Sequence, residues 1–203
     1  MDAFSKSKTP EGSRDLWETP AEVFDAIQFA LNIPILHDVC ATRATSKCGS
    51  MYWGPDQGDD TLSMDWMQEL EWMHAPNGHP EAQFPTVCAV WMNPPYSDPT
   101  PWVRKAAEES EKGLIVVGLV IDDRSTKWYQ NYVEGAASIA FVPDRRISFL
   151  QNGKPVPGNP KPSIFPVWTP WRTGHTQYAR ISIPRAVKRR SANSITIPVA
   201  EES

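Results

Sequence analysis

Two uninterrupted apolar runs set what this chain can fold into: VCAVWM at residues 87–92 and LIVVGLVI at residues 114–121. A strand with one wet face alternates apolar and polar side chains. A strand with no polar positions must be covered on both faces, as in a parallel sheet flanked by helices. Helical spacing between the apolar runs completes the pattern. Val23, Phe24, Ile27 and Leu31 share one helix face, and Thr19-Pro20-Ala21-Glu22 ahead of them reads as Thr19 N-cap, Pro20 at the first helical position and Glu22 closing a capping box. Further helices are expected over 62–73, from Thr100-Pro101 with Trp102, Val103 and Ala106 on one side, and over 126–134. Strands are expected at 33–36 and 138–142, with a short one at Met51-Tyr52-Trp53. Residues 147–149 and 164–168 flank Asn152-Gly153, a hairpin turn signal, and are expected to pair antiparallel. The expected fold class is therefore α/β, a mostly parallel sheet with a late antiparallel strand.

Length allows one domain with a sizeable core: 203 residues is too short for two ordinary ones. The expected organisation is a flexible lead over 1–16, one domain over 17–183 with a loop insertion at 71–86, and a flexible tail over 184–203. No run approaches the ~18 apolar residues of a membrane span. The polar start has no apolar signal region, so a cytoplasmic location is expected. Three cysteines, Cys40, Cys48 and Cys88, form no C-x-x-C pair, which argues against a disulfide framework or a cysteine zinc site. His74 and His79 are five apart in a Pro/Gly-rich stretch, not at helical ligand spacing, so no metal is expected. The net charge of -4 is unusual for a chain that meets phosphates. Arg145-Arg146 and the cluster Arg180, Arg185, Lys188, Arg189 and Arg190 could form a local basic patch; a solvated tail explains the cluster after Pro184 equally well.

In open α/β sheets ligands bind beyond the carboxyl ends of strands. Three segments fall at such ends: Asp38, Asn93-Pro94-Pro95-Tyr96 and Asp122-Asp123-Arg124. Asn-Pro-Pro-Tyr arises by chance in roughly one chain in a thousand of this length. A turn that merely ends a strand explains the prolines but not the asparagine and tyrosine beside them. Amino-group chemistry explains all four. An exocyclic amino nitrogen on a heteroaromatic ring is a poor nucleophile because its lone pair is delocalised. Two acceptors, the Asn93 side-chain oxygen and the Pro94 carbonyl, would hold both amino protons and stabilise the positive charge that develops on the nitrogen. Pro94 and Pro95 stiffen the backbone and hold Asn93 extended. Tyr96 offers a flat face for a flipped-out base.

The motif resembles the catalytic motif of amino-group methyltransferases. The wider pattern resembles the phage-encoded DNA N-6-adenine methyltransferases, the phage Dam-like family. The resemblance is carried by Trp17-Glu18-Thr19-Pro20, Asp38-Val39-Cys40-Ala41, Asp65-Trp66, Trp91-Met92-Asn93-Pro94-Pro95-Tyr96-Ser97, Trp102-Val103-Arg104-Lys105-Ala106, Trp128-Tyr129, Arg146-Ile147-Ser148-Phe149 and Pro162-Ser163, in order over 17–168. It implies a Rossmann-like methyltransferase fold, S-adenosylmethionine as cofactor, duplex DNA as partner with the target base flipped, and methylation of the adenine N6 amino group. It assigns Asn93, Pro94, Pro95 and Tyr96 to catalysis, and Thr19, Pro20, Asp38, Cys40, Ala41, Asp65 and Trp66 to the cofactor. Asp38-Val39-Cys40-Ala41 stands where many methyltransferases carry a Gly-rich turn; the next glycine is Gly49.

Other functions fit the same motif. RNA bases and protein glutamine amides also present planar NH2 groups, and cytosine amino methylation is a third substrate of this chemistry. A relative that keeps the fold and binds nucleic acid without catalysis has no evident need for both Asn93 and Tyr96.

Overall fold

The computed structural model describes residues 17–74, 87–156 and 161–185. The expected lead, most of the insertion (75–86) and nearly all of the tail lie outside these residues. The chain order is α1 (Ala21–Leu31), β1 (Ile35–Asp38), α2 (Trp66–His74), β2 (Ala89–Met92), α3 (Thr100–Glu111), β3 (Ile115–Gly118), β4 (Val120–Ile121), α4 (Lys127–Tyr132), β5 (Ile139–Pro143), β6 (Leu150–Gln151), β7 (Lys154–Pro155), β8 (Ser163–Trp168) and β9 (Gln177–Ile181).

The main sheet runs β1-β2-β3-β8-β5-β9, with β4 also pairing β8. The pairs β1–β2, β2–β3 and β5–β9 are parallel, while β8 runs antiparallel to β3, β4 and β5. One late strand thus opposes the rest of a parallel sheet. The apolar runs occupy its middle, and their residues alternate between two cores. Ala89, Trp91, Ile115 and Val117 face α1 through Val23, Phe24 and Ile27. Val90, Met92 and Val116 face α2 and α3 through Trp66, Leu70, Val103 and Ala106. All four residues of β2 and all four of β3 are buried, which is why neither run could contain a polar residue.

The helix faces are tied together by one buried carboxylate. Glu109 on α3 is fully buried; it accepts from Lys105 and Lys112, both 2.8 Å away, and from the Met67 amide of α2 at 3.2 Å. Its charge is tolerated because each oxygen has a donor.

Three expectations are corrected. Thr19 is not a helix cap. Helix α1 begins at Ala21, Pro20 occupies the cap position with extended backbone, and no side chain caps it. The Pro20 carbonyl receives the Val23 and Phe24 amides, so the first turn is closed on Pro20 and not on Thr19. The turn at Asn152-Gly153 is real, with positive φ at both residues, but it closes only the small hairpin β6–β7. Residues 147–149 do not pair with β8; Ile147 and Phe149 are core side chains outside any strand, and the wholly buried β8 sits between β3 and β5. Strand β9, absent from the sequence expectations, extends the sheet beyond β5, with only Ile181 buried among its five residues.

Candidate active site

Strands β1 and β2 are parallel neighbours, so their carboxyl ends lie together, and each apolar run stops there at a polar residue. The first residues past the strands are joined by backbone bonds: the Val39 amide donates to Trp91 and the Leu119 amide to Met92. Beyond these ends opens a cavity of about 550 Å³. That size falls in the ordinary range for small-molecule sites.

Asp38, Cys40 and Ala41 form one wall with the loop that follows. The expected strand at Met51-Tyr52-Trp53 is a single bridge, Asp38 to Tyr52, extended by backbone bonds at Met51 and Trp53. Gly54 follows it and packs against this wall so tightly that a Cβ there would lie 1.7 Å from the Ala41 carbonyl oxygen. Gly54→Ala is expected to lower stability by about 2 kcal/mol and distort the cavity, because backbone rather than a mobile side chain must yield; thermal unfolding of the variant checks this.

Asp38 is almost fully buried. Its Oδ1 accepts the Cys40 amide at 3.3 Å and its Oδ2 the Lys47 amide at 3.1 Å. Burial nevertheless raises its pKa to about 7, the two amides and the Lys47 charge opposing the rise. Asp59 and Asp60 also line the cavity, and no lysine or arginine does among the described residues. The cavity therefore favours a ligand with positive charge. Beside Asp38, His37 is buried against Trp53 with ring centroids 4.2 Å apart; burial, with a smaller contribution from His74, lowers its pKa to about 4, so it is neutral.

The other wall holds Asn93 and Pro95 from the end of β2, Trp17 and Thr19 from the segment before α1, Trp102 from α3, and Gln151 and Asn152 from the hairpin. The Asn93 amide is oriented: its Nδ2 donates to the Trp17 carbonyl at 2.9 Å. The oxygen is therefore the free end. Asn93 Oδ1, Thr19 Oγ1 and Trp17 Nε1 are all buried and have no hydrogen-bond partner among the described residues. Buried polar atoms in native proteins are nearly always paired. These three unpaired atoms all belong to residues that line this one wall.

Several residues named from the sequence do not line the cavity. Pro20 and Pro94 are buried behind it. Trp66 is wholly buried in the core, its Nε1 donating to the Thr61 carbonyl at 2.7 Å. Asp65 faces Lys112 at 2.8 Å and caps the Gln68 amide, which lowers its pKa; Thr61 and Leu62 of the same stretch line the cavity instead. Tyr96 stands edge-on to Trp17 (5.8 Å, 77°) and Phe149 (5.4 Å, 90°), and burial pushes its phenol far above the usual range, with the Ser163 hydroxyl opposing the rise. Tyr96→Ala is expected to lower the melting temperature by about 5–10 °C, as for loss of a packed aromatic from a chain this size; calorimetry of the free protein checks this.

Trp17, Trp102, Asp59, Asp60, Gln151 and Asn152 were not among the sequence candidates. For Trp17 a signal existed, its place directly before Glu18-Thr19-Pro20; the sequence marks Asn152 only as turn and gives no signal for Gln151.

The model of the DNA N-6-adenine-methyltransferase (Dam) family matches residues 6–194. The chain belongs to this family. Two relatives carry the family's name. One, a DNA N-6-adenine-methyltransferase of Haemophilus phage HP1 (strain HP1c1), is 32% identical over 169 residues, covering 82% of this chain and 85% of the relative. The other, from Escherichia phage T1, is 27% identical over 209 aligned positions, covering 93% of this chain and 79% of the relative. No solved structure matches the chain.

Proposed function

We propose that this protein transfers a methyl group from S-adenosylmethionine to the N6 amino group of adenine in DNA, with the target base flipped into the cavity against the wall formed by Asn93 and the Trp17 segment. The observation that carries this reading is the Asn93 amide, locked by Trp17 with its oxygen unpaired. The fold is then the Rossmann-like methyltransferase arrangement, and the cavity at the ends of β1 and β2 is its ligand crevice.

The residues present suit the cofactor. S-adenosylmethionine carries an ammonium and a sulfonium against one carboxylate, and its net positive charge suits a cavity lined by Asp38, Asp59 and Asp60. Asp38 would hold the ammonium, Thr19 Oγ1 would pair with a polar group of the cofactor, and Cys40, Ala41 and Gly54 would give the backbone surface against which it packs. Pro20, Asp65 and Trp66 act from behind, by fixing Thr19 and the 59–62 loop. When bound, the cofactor supplies an electrophilic methyl group.

Asn93 Oδ1 accepts one amino proton of adenine, and the Pro94 carbonyl is assigned the other. Both bonds strengthen as the nitrogen becomes tetrahedral and positive, so they act mainly on the transition state. Pro94 and Pro95 keep these acceptors from relaxing away. Tyr96 braces Trp17 and Phe149 edge-on. The surplus proton left on the methylated nitrogen passes to solvent. No helix among the described residues is long and apolar enough to cross a membrane; the proposed place of action is the cytoplasm of a phage-infected host.

Expression in a bacterial strain without adenine methylation, followed by sequencing of the host DNA for modified bases, tests the reading. Modified adenines in a defined sequence context are expected. Unmodified DNA despite well-folded, cofactor-binding protein would reject it.

A further inference from the structure

We infer that the indole N–H of Trp17 is a base-specifying hydrogen-bond donor, directed to the ring nitrogen beside the amino group that is methylated. The inference rests on the DNA adenine reading and adds to it a residue and a rule of base choice. Trp17 lines the cavity and is 6% exposed. Its Nε1 is buried and has no acceptor among the described residues. Leaving a buried donor unpaired is unfavourable by enough that a ligand acceptor is the simplest explanation.

The indole is also held still. Its ring stacks on Phe149 at 5.4 Å and 21°, and Tyr96 abuts it edge-on. The next residue, Glu18, exchanges both backbone bonds with Leu150, at 2.8 and 3.0 Å, and its carboxylate reaches the Gly153 amide at 3.4 Å. The Trp17 carbonyl meanwhile fixes the Asn93 amide. One residue thus sets the direction of the acceptor and itself carries the donor.

An acceptor beside a donor selects an edge on which an amino group adjoins an unprotonated ring nitrogen. Adenine presents that edge twice, as N6 with N1 and N6 with N7. Guanine bound in adenine's orientation places O6 where N6 would be, so Asn93 Oδ1 would face another acceptor, and thymine has no amino group at all. Guanine turned to present N2 beside N3, and cytosine with N4 beside N3, are not rejected by this pair, and their exclusion falls to the fit of the rest of the base in the cavity. The arrangement therefore rejects thymine and fixes the orientation in which a purine is read.

The test uses duplexes with adenine, 1-deazaadenine or 7-deazaadenine at a target site mapped from methylated DNA, with kcat/KM measured for the wild type and for Trp17→Phe, which keeps a stacked ring and removes the N–H. The wild type is expected to lose about 10- to 100-fold on one deaza duplex. The weaker pairing of 1-deazaadenine eases flipping and acts in the opposite direction. Trp17→Phe is expected to lose a similar factor on adenine and little more on that same deaza duplex, because donor and acceptor are one interaction. If Phe leaves a hole that unfolds the chain, benzothienylalanine at position 17, with sulfur in place of N–H and the same outline, gives the same comparison. Equal wild-type rates on all three duplexes would overturn the inference, as would a Trp17→Phe loss of the same factor on each. Failure of the wild type to methylate the adenine duplex at all would instead overturn the proposed function, and this inference with it.

Discussion

Asn93→Ala should bind S-adenosylmethionine and melt as the parent does, yet transfer methyl groups on the order of 10² to 10³ more slowly, the usual effect of removing one preorganised partner of a developing charge. Stability should change little because, among the described residues, the Asn93 side chain makes one bond, to the Trp17 carbonyl. Single-turnover methylation of DNA by the two proteins, with cofactor titrations in parallel, checks this. Asn93→Asp gives a sharper signature. One carboxylate oxygen can still accept the amino proton, but the other would face the Trp17 carbonyl where Nδ2 now donates at 2.9 Å. Two acceptors repel unless the carboxyl is protonated, so its pKa should be raised. Measurable activity is expected, and the ratio of variant to parent rate should rise as pH falls. A flat ratio would show that the amide is not oriented by Trp17.

Asp38 gives the second large effect. Its pKa in the free protein stands near 7, above the ordinary carboxylate value, because burial outweighs its two amide donors and Lys47. A group with a raised folded pKa holds a proton in the folded state that the unfolded chain has already lost. Between about pH 4 and 7 the folded state binds more protons, so the free protein should lose stability as pH rises through that window. A cationic cofactor needs the ionised carboxylate. Its affinity should therefore rise with pH up to about 7 and level off above, with a proton released on binding below 7. Asp38→Asn should weaken S-adenosylmethionine by about 10- to 100-fold and remove that pH dependence. Calorimetric titrations at pH 6, 7 and 8 in buffers of different ionisation enthalpy check both. The demethylated product lacks the sulfonium charge and should be affected less.

Much of this was legible because apolar runs are local signals with global meaning. Buried strands β2 and β3 could be read from composition alone, and a polar residue ending each run marks the edge of the sheet where ligands bind. Asn93 and Asp38 were found that way. Thr19 was misassigned because its neighbours satisfy the capping pattern; only the fold reveals that Pro20 opens the helix and leaves the Thr19 hydroxyl unpaired. The Asn152-Gly153 turn was legible, but a turn fixes only its adjoining residues, and whether β8 pairs there or between β3 and β5 is decided by burial over a long separation. Strand β9 carries one buried residue and so left no hydrophobic period. Asp65 and Trp66 lie near the cavity in the chain, yet helix α2 turns one into the core and the other toward Lys112. Trp17 reads as one more core aromatic until its unpartnered N–H is seen.

The most direct test is to incubate the purified protein with unmethylated duplex DNA and methyl-labelled S-adenosylmethionine, digest the DNA to nucleosides and separate them by mass spectrometry. The account predicts label in N6-methyldeoxyadenosine, falling by on the order of 10² or more with Asn93→Ala. Label in N4-methyldeoxycytidine, or none in DNA while RNA or protein is labelled, would contradict it.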